Sequence, residues 1–380
     1  MNTALHLLLH SLWISLAFGQ DVLYRMKYVD YDFISEEHRN QSIQTGKYSK
    51  KAVTPIGVLI AEEIILSIPG DVGVPASLVT MVPEKQRNGQ PLYRPYPDWS
   101  WTGDDCDKSI ISVYRVDYDK CGRLWVLDNG KIGETQKCPP KIMVFHLKTR
   151  KLLLKKVIPN EYAFNKEGKG LLVTPLVQTF GRRCEKFKIF MADIEGYGLV
   201  TWDGKTFIRL ESEFFRATKP DFLLNNVSFH LEDGLVGMAL TRDIHKREIL
   251  YFTALASTQL FHVPTSELTV YSNKTPNYVE DQGDFGRKVS LVIEGNTMYY
   301  GSLVDNALKK LEVNTKCRKK KVKTLVKNDE VLQFVSDLKS TAKGSLPYRG
   351  IYGLSNKFQK SAAGIRNINE YNFHIFAYKL

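Results

Sequence analysis

An all-β fold, a six-bladed β-propeller with four-stranded blades, is what this 380-residue sequence predicts, and three observations carry the prediction. Short apolar or alternating runs recur along the chain, while helical periodicity never persists for long. A unit made of one β run, a polar turn, a second β run and a third is repeated. Tyr and Phe, at 19 each, enrich the chain in residues that suit a pleated surface.

The repeat is clearest at Ile111–Val116, Gly122–Leu127 and Lys141–Leu147, and again at Lys188–Asp193, Gly198–Trp202 and Thr206–Leu210. Anchored on the second strand of each unit, copies fall near Ile64, Leu124, Ile189, Leu250, Met298 and Ile351. Their spacings are 60, 65, 61, 48 and 53 residues. Several strands per period of that length mark propeller blades. Separate β-sandwiches would need a linker, and no Pro/Gly/Ser-rich break of linker composition follows Val22. The Pro-rich stretch Pro83–Trp101 reads as a long inter-blade loop pinned by Trp99 and Trp101.

Ahead of the repeat, Met1–Gly19 has the apolar run Ala4–Phe18 and ends in Ala17-Phe-Gly19, small residues at the −3 and −1 positions of a cleavage site. It reads as a secretory signal, leaving 20–380 as a single propeller domain. No later stretch reaches the roughly 18 apolar residues that a membrane-spanning helix requires. Hydrophobic residues at 43% and charged residues at 25% exclude disordered, collagen-like and polytopic membrane chains.

Export alters what the cysteines can do. Among Cys106, Cys121, Cys138, Cys184 and Cys317, four can pair and one is left over; none forms a CxxC and no Cys/His cluster has zinc spacing. Asn40-Gln-Ser42, Asn226-Val-Ser228 and Asn273-Lys-Thr275 are N-glycosylation acceptors.

The charge is unusual: 53 Lys and Arg against 41 Asp and Glu give +12, a surface that attracts anions. Lys316-Cys-Arg318-Lys319-Lys320-Lys321-Val-Lys323 concentrates six of the positive charges. It reads as an exposed hairpin of the fifth blade, a solvated face or a patch for an acidic glycan. Nucleic acid is excluded as a partner by export and by the lack of stacking aromatics in the run.

Catalytic patterns are absent: no GxSxG, HExxH, GxxxxGK[ST], or GxGxxG between strand and helix. His230-Leu-Glu-Asp233 reads as a strand edge leading into the Asp233-Gly234 turn. Asp193, Glu195 and Tyr197 read as a polar corner, with Gly196 and Gly198 as turn residues of permissive φ.

Several specific segments stand out: Tyr28-Val-Asp-Tyr-Asp-Phe33, Pro95-Tyr-Pro-Asp-Trp-Ser100, Ser112-Val-Tyr-Arg115, Gly122-Arg-Leu-Trp-Val-Leu-Asp-Asn-Gly130, Leu172-Val-Thr-Pro-Leu-Val177, Ala192-Asp-Ile-Glu-Gly-Tyr-Gly-Leu199, Asp233-Gly-Leu-Val-Gly-Met-Ala-Leu240 and Leu354-Ser-Asn-Lys-Phe-Gln359. In these the chain resembles the major royal jelly/Yellow family of secreted insect proteins. The resemblance runs from about Tyr28 to Phe376. It implies a six-bladed propeller, secretion, glycosylation, no established cofactor and no enzymatic role, although some Yellow relatives are associated with dopachrome conversion.

It also implies the pairs Cys106–Cys138 and Cys121–Cys184, because members with counterparts of Cys106 and Cys138 lack the other two. Where royal jelly proteins have Gly-Cys-Trp-Asn this chain has Ala307-Leu-Lys-Lys310, and it stops at Leu380, before their C-terminal Cys. A third bridge is therefore not expected, which leaves Cys317 unpaired or available for an intermolecular bond.

Salivary relatives from blood-feeding insects hold biogenic amines in the propeller channel. The positions matching their site are Phe334, Ser336, Asp337, Asn356 and Phe358. Phe rings can stack on an aromatic ligand or face its ammonium, and amide and hydroxyl groups can orient it. The bland alternative is that Asn356 caps a turn and the phenylalanines are blade core. A small aromatic amine or a sterol is thus the expected ligand class, and venom, saliva or a nutritive secretion the expected setting.

Overall fold

A computed structural model of the chain describes residues 19–268, 279–313, 321–340 and 349–380. Residues 1–18 of the signal segment, Asn273, Cys317 and Lys316–Lys320 lie outside the described residues.

The predicted ring is present, and all six anchors fall on second strands. Blade 1 comprises Gly57–Ile60, Ile64–Ser67, Leu78–Arg87 and Gln90–Pro95, with the two-residue strand Asp30–Tyr31 added in parallel outside. Blade 2 comprises Val113–Tyr118, Arg123–Asp128, Lys141–His146 and Leu152–Val157, and blade 3 Leu172–Phe180, Lys186–Asp193, Gly198–Trp202 and Phe207–Glu211. Blade 4 comprises Leu235–Arg242, Glu248–Ala254, Gln259–Pro264 and Glu280–Asp284, and blade 5 Leu291–Glu294, Thr297–Ser302, Ala307–Glu312 and Val322–Lys327. Each first strand touches the first strands of its two neighbours, and blade 6 meets blade 1.

Blade 6 was only partly legible in the sequence. Its inner strands are Phe334–Ser340, Gly350–Asn356 and Phe373–Lys379, but its outermost strand is Gln20–Met26, from the other end of the chain. Gln20 pairs with Tyr378 and Met26 with Phe373, so main-chain hydrogen bonds close the circle.

The middle strands are buried on both faces because every blade packs against two others. Six apolar clusters lie among the described residues, one at each blade-to-blade interface. Blades 2 and 3 meet through Trp125, Leu127, Ile189 and Val200; blades 6 and 1 meet through Tyr352, Leu354, Val58 and Leu66. This two-sided burial explains why the second strands read as near-continuous apolar runs. The pairs Cys106–Cys138 and Cys121–Cys184 are both formed; the latter joins a blade 2 turn to a blade 3 turn.

Two local expectations are corrected. Pro83–Trp101 is not an inter-blade loop: Leu78–Arg87 and Gln90–Pro95 form a hairpin of blade 1, and Pro83 is accommodated where the register breaks between Met81 and Gln86. Trp99 does pin the connection that follows, stacking on Phe33, as does Trp101, edge-on to Phe145. At the corner after Asp193 the positive φ belongs to Tyr197 (52°), not to the flanking glycines. Gly196 and Gly198 are required for close approach, because a Cβ would meet the Asp193 carboxylate or the Arg209 guanidinium within 2.7 Å.

His374 gives the closing blade a pH dependence. Its ring is buried beside the terminal strand, opposite Arg25, and burial, followed by the charges of Arg25 and Lys357, lowers its pKa from 6.5 to about 4. Between these values the unfolded chain takes up a proton that the folded chain refuses. Acidification from pH 6.5 to 4 should therefore remove about 3 kcal/mol of stability. Thermal melts across that range should show the loss, and His374→Asn should flatten it.

Candidate functional site at the propeller axis

Four of the six innermost strands carry a register break near the same height, at Val113/Val116, Leu172/Thr174, Leu235/Gly237 and Val335/Asp337. A bulge leaves a residue out of the ladder and turns its polar groups elsewhere. Here they turn to the axis. Arg115, in the blade 2 bulge, sends its guanidinium across the channel to the Thr174 hydroxyl of blade 3 (2.6 Å), the Val236 carbonyl of blade 4 (3.3 Å) and the Ser336 carbonyl of blade 6 (2.6 and 3.2 Å).

Asp337 completes the set. Its carboxylate lies 3.8 Å from Arg115 and accepts from the Val58 amide of blade 1 (3.1 Å) and the Ser290 hydroxyl of blade 5 (3.3 Å). Lys339 stands 3.3 Å away. One buried ion pair therefore touches all six blades and plugs the channel. Burial pulls the Arg115 pKa down and Asp337 opposes this; a guanidinium stays charged regardless.

The plug separates two spaces. On the side where the innermost strands begin, Phe334 and Phe358 lie 5.0 Å apart, and Phe229, from the hairpin Asp221–His230, lies 6.1 Å from Phe358. Tyr114 packs against the same cluster. Its phenol pKa is raised by burial and then by the carboxylates of Asp233, Glu195, Glu134 and Asp71, which come from four different stretches of this rim. Asp233 is pushed up to about 7 by burial, Glu195 and Glu134. Burial also raises Glu195, although Lys131 pairs with it at 2.5 Å.

On the opposite side a cavity of about 300 Å³ opens among Asp117, Tyr118, Val177, Leu240, Ile293 and Lys339.

The five positions carried over from amine-binding relatives are distributed by this plan. Ser336 is fully buried, and its hydroxyl donates to the Leu354 carbonyl. Asn356 donates to the Pro55 carbonyl and accepts from the Phe358 amide, a turn cap at the head of helix Phe358–Ala362. Asp337 is in the plug, Phe334 is 3% exposed, and Phe358 alone of the five keeps appreciable surface.

Arg115 and Tyr114 lie within the Ser112-Val-Tyr-Arg115 motif, where sequence reasoning assigns them no role. A lone Arg in an apolar strand was the available signal. His230 is exposed and pairs with Asp221 (2.8 Å) and Glu232 (3.5 Å) at the hairpin base. Asp193 accepts from Leu171, Gly196 and Arg209, a structural corner. The single metal-type grouping found among the described residues, Asp119 with Cys121 and Cys184, is taken up by the disulfide. No helix among the described residues is long and apolar enough to cross a membrane.

These features define a disulfide-tied six-bladed β-propeller with a plugged axis and an acidic, aromatic rim on one side. Residues 111–380 match the family model described as Major royal jelly protein. Major royal jelly protein 9 of Apis mellifera is 38% identical over 373 residues, covering 93% of this chain and 86% of that protein. Major royal jelly proteins 8 and 1 of the same organism are 33% and 32% identical, each over 93% of this chain and over 89% and 86% of their own lengths. The chain belongs to the major royal jelly protein family.

Proposed function

We propose that the protein is a secreted, glycosylated, non-enzymatic gland product that holds a small aromatic amine at the acidic rim of its channel. The observation that carries the reading is the set of four carboxylates, Asp71, Glu134, Glu195 and Asp233, acting on Tyr114, which packs against the same apolar cluster as the Phe334–Phe358 pair. Aromatic faces and negative charge together suit an organic ammonium. The net charge of +12 argues the other way only at long range, since the local field at a mouth is set by the groups that surround it. Secretion is supported by two disulfides, which persist in oxidising compartments, and by sequon residues Asn40 and Asn226, both exposed.

Calorimetric titration with serotonin and dopamine tests this reading. Binding should tighten several-fold from pH 6 to pH 8, because Asp233 passes from neutral to charged near 7 while the amine stays protonated. Phe358→Ala should weaken it by about tenfold, and Asp233→Asn should abolish the pH dependence. No heat of binding at millimolar amine, or affinity indifferent to both substitutions, rejects the proposal.

A neutral ligand such as a sterol is favoured instead by the other cavity, where Leu176, Met238 and Leu291 are among the apolar lining residues; sterol binding unaffected by Phe358→Ala would support it. Dopachrome decay no faster than with heat-treated protein is the expected result for catalysis.

A further inference from the structure

The antiparallel course of the blades sends the turns after their first and third strands to the face opposite the acidic rim. Three of these turns, 119–122 and 147–151 of blade 2 and 181–185 of blade 3, are joined side by side. The Leu147 amide donates to the Gly122 carbonyl (2.9 Å), and the Cys121–Cys184 bond links the other two. Lys120, Lys148, Lys151, Arg182, Arg183 and the adjoining Lys186 are all exposed on them, and none forms an ion pair among the described residues.

Within the three turns the acids do not balance this charge. Asp119 is buried and committed to Arg123 (2.7 Å) and the Trp125 indole (2.9 Å). Glu185 is the one exposed acid in the three turns, and it accepts from the Arg183 amide. Six cations without an ion pair, carried on turns whose backbones are held side by side by a disulfide and a hydrogen bond, form a preorganised band.

From this geometry we infer that the lower rim of blades 2 and 3 is a docking surface for a sulfated polysaccharide. A linear polyanion matches a band of point charges drawn from separate turns. The large apolar side chain exposed at the edge of the three turns is Phe180, a single ring and less than insertion into a bilayer would require. They also contain no aromatic residue on which a base could stack. The surface is distinct from Lys321 and Lys323, which are exposed beside and on the outer strand of blade 5. It lies across the molecule from the amine-binding rim, so the two readings stand or fall separately.

The test uses immobilised heparin and the full chain in three forms. These are the unaltered protein, a patch variant (Lys120→Ser, Lys148→Ser, Arg182→Ser, Arg183→Ser) and a run variant (Arg318→Ser, Lys319→Ser, Lys320→Ser, Lys321→Ser). The unaltered protein should bind with an affinity that falls steeply between 50 and 300 mM salt, because screening shortens the reach of exposed charges to about 10 Å or less. The patch variant should lose at least about tenfold and much of its salt dependence, while melting normally and binding amine as before. The run variant should bind within about twofold of the unaltered chain, as expected when screened charges lie off the docking surface.

Desulfated heparin should bind weakly. Retention by the patch variant equal to the unaltered protein, loss confined to the run variant, or capture by phosphatidylserine vesicles in preference to heparin would each overturn the assignment.

Discussion

Replacing Arg115 with methionine should destabilise the protein by about 3–5 kcal/mol, the range seen when one partner of a buried ion pair is removed. Arg115 is 2% exposed, and its loss leaves the Val236 and Ser336 carbonyls and the Thr174 hydroxyl without their axial donor and takes from the Asp337 carboxylate one of its two cationic partners, the other being Lys339 at 3.3 Å. Arg115→Lys should fare little better, because one ammonium cannot span donors' partners in three blades as a planar fork does.

The double variant Arg115→Met/Asp337→Asn should recover part of the loss, since the buried acid that has lost the Arg115 guanidinium is then neutral as well. A double-mutant cycle by chemical denaturation would give a coupling energy of at least about 1 kcal/mol if the pair acts as described. Additive effects would show that Arg115 and Asp337 stabilise their own blades independently.

Deleting Gln20–Met26 should have a comparable effect by another route. The deletion removes the fully buried Met26 and leaves Phe373–Lys379 as an unpaired edge at the place where the circle closes. Burial of a side chain of that size contributes about 2–3 kcal/mol, and the lost ladder adds to it. An open edge invites pairing with another chain, so the deleted protein should melt earlier and form dimers or aggregates. A peptide spanning residues 19–27, added in trans, should restore the monomer and part of the melting temperature. A deletion that melts like the full chain would show that the N-terminal strand is incidental.

Blade number and the position of every second strand were legible because burial on two faces writes long apolar runs such as Leu124–Leu127 and Ile189–Ala192 into the sequence. Gln20–Met26 was not legible as part of blade 6: it is an edge strand, mostly half-buried, and its partner lies at the far end of the chain. Pro83 misled because proline weakens a strand assignment, and nothing local announces the register break that tolerates it.

At the axis, the resemblance carried the positions Phe334 to Phe358 but not their division by a plug. The Arg115 network depends on carbonyls of Val236 and Ser336 that are freed by bulges, and a backbone carbonyl has no signature in side-chain chemistry. The acidic rim was hidden for a related reason. Asp71, Glu134, Glu195 and Asp233 are far apart in sequence, and only in the folded ring do their charges act together on Tyr114.

The proposed site for an organic cation is the acidic, aromatic rim, on the Phe358 side of the Arg115–Asp337 pair. A crystal structure of the protein grown with serotonin at pH 8 tests it most directly. Ligand density in contact with Phe358 and Tyr114, with its ammonium turned toward Asp233 or Glu195, is the predicted result. Density in the cavity beside Lys339 and Ile293, or an empty rim at saturating amine, would contradict it.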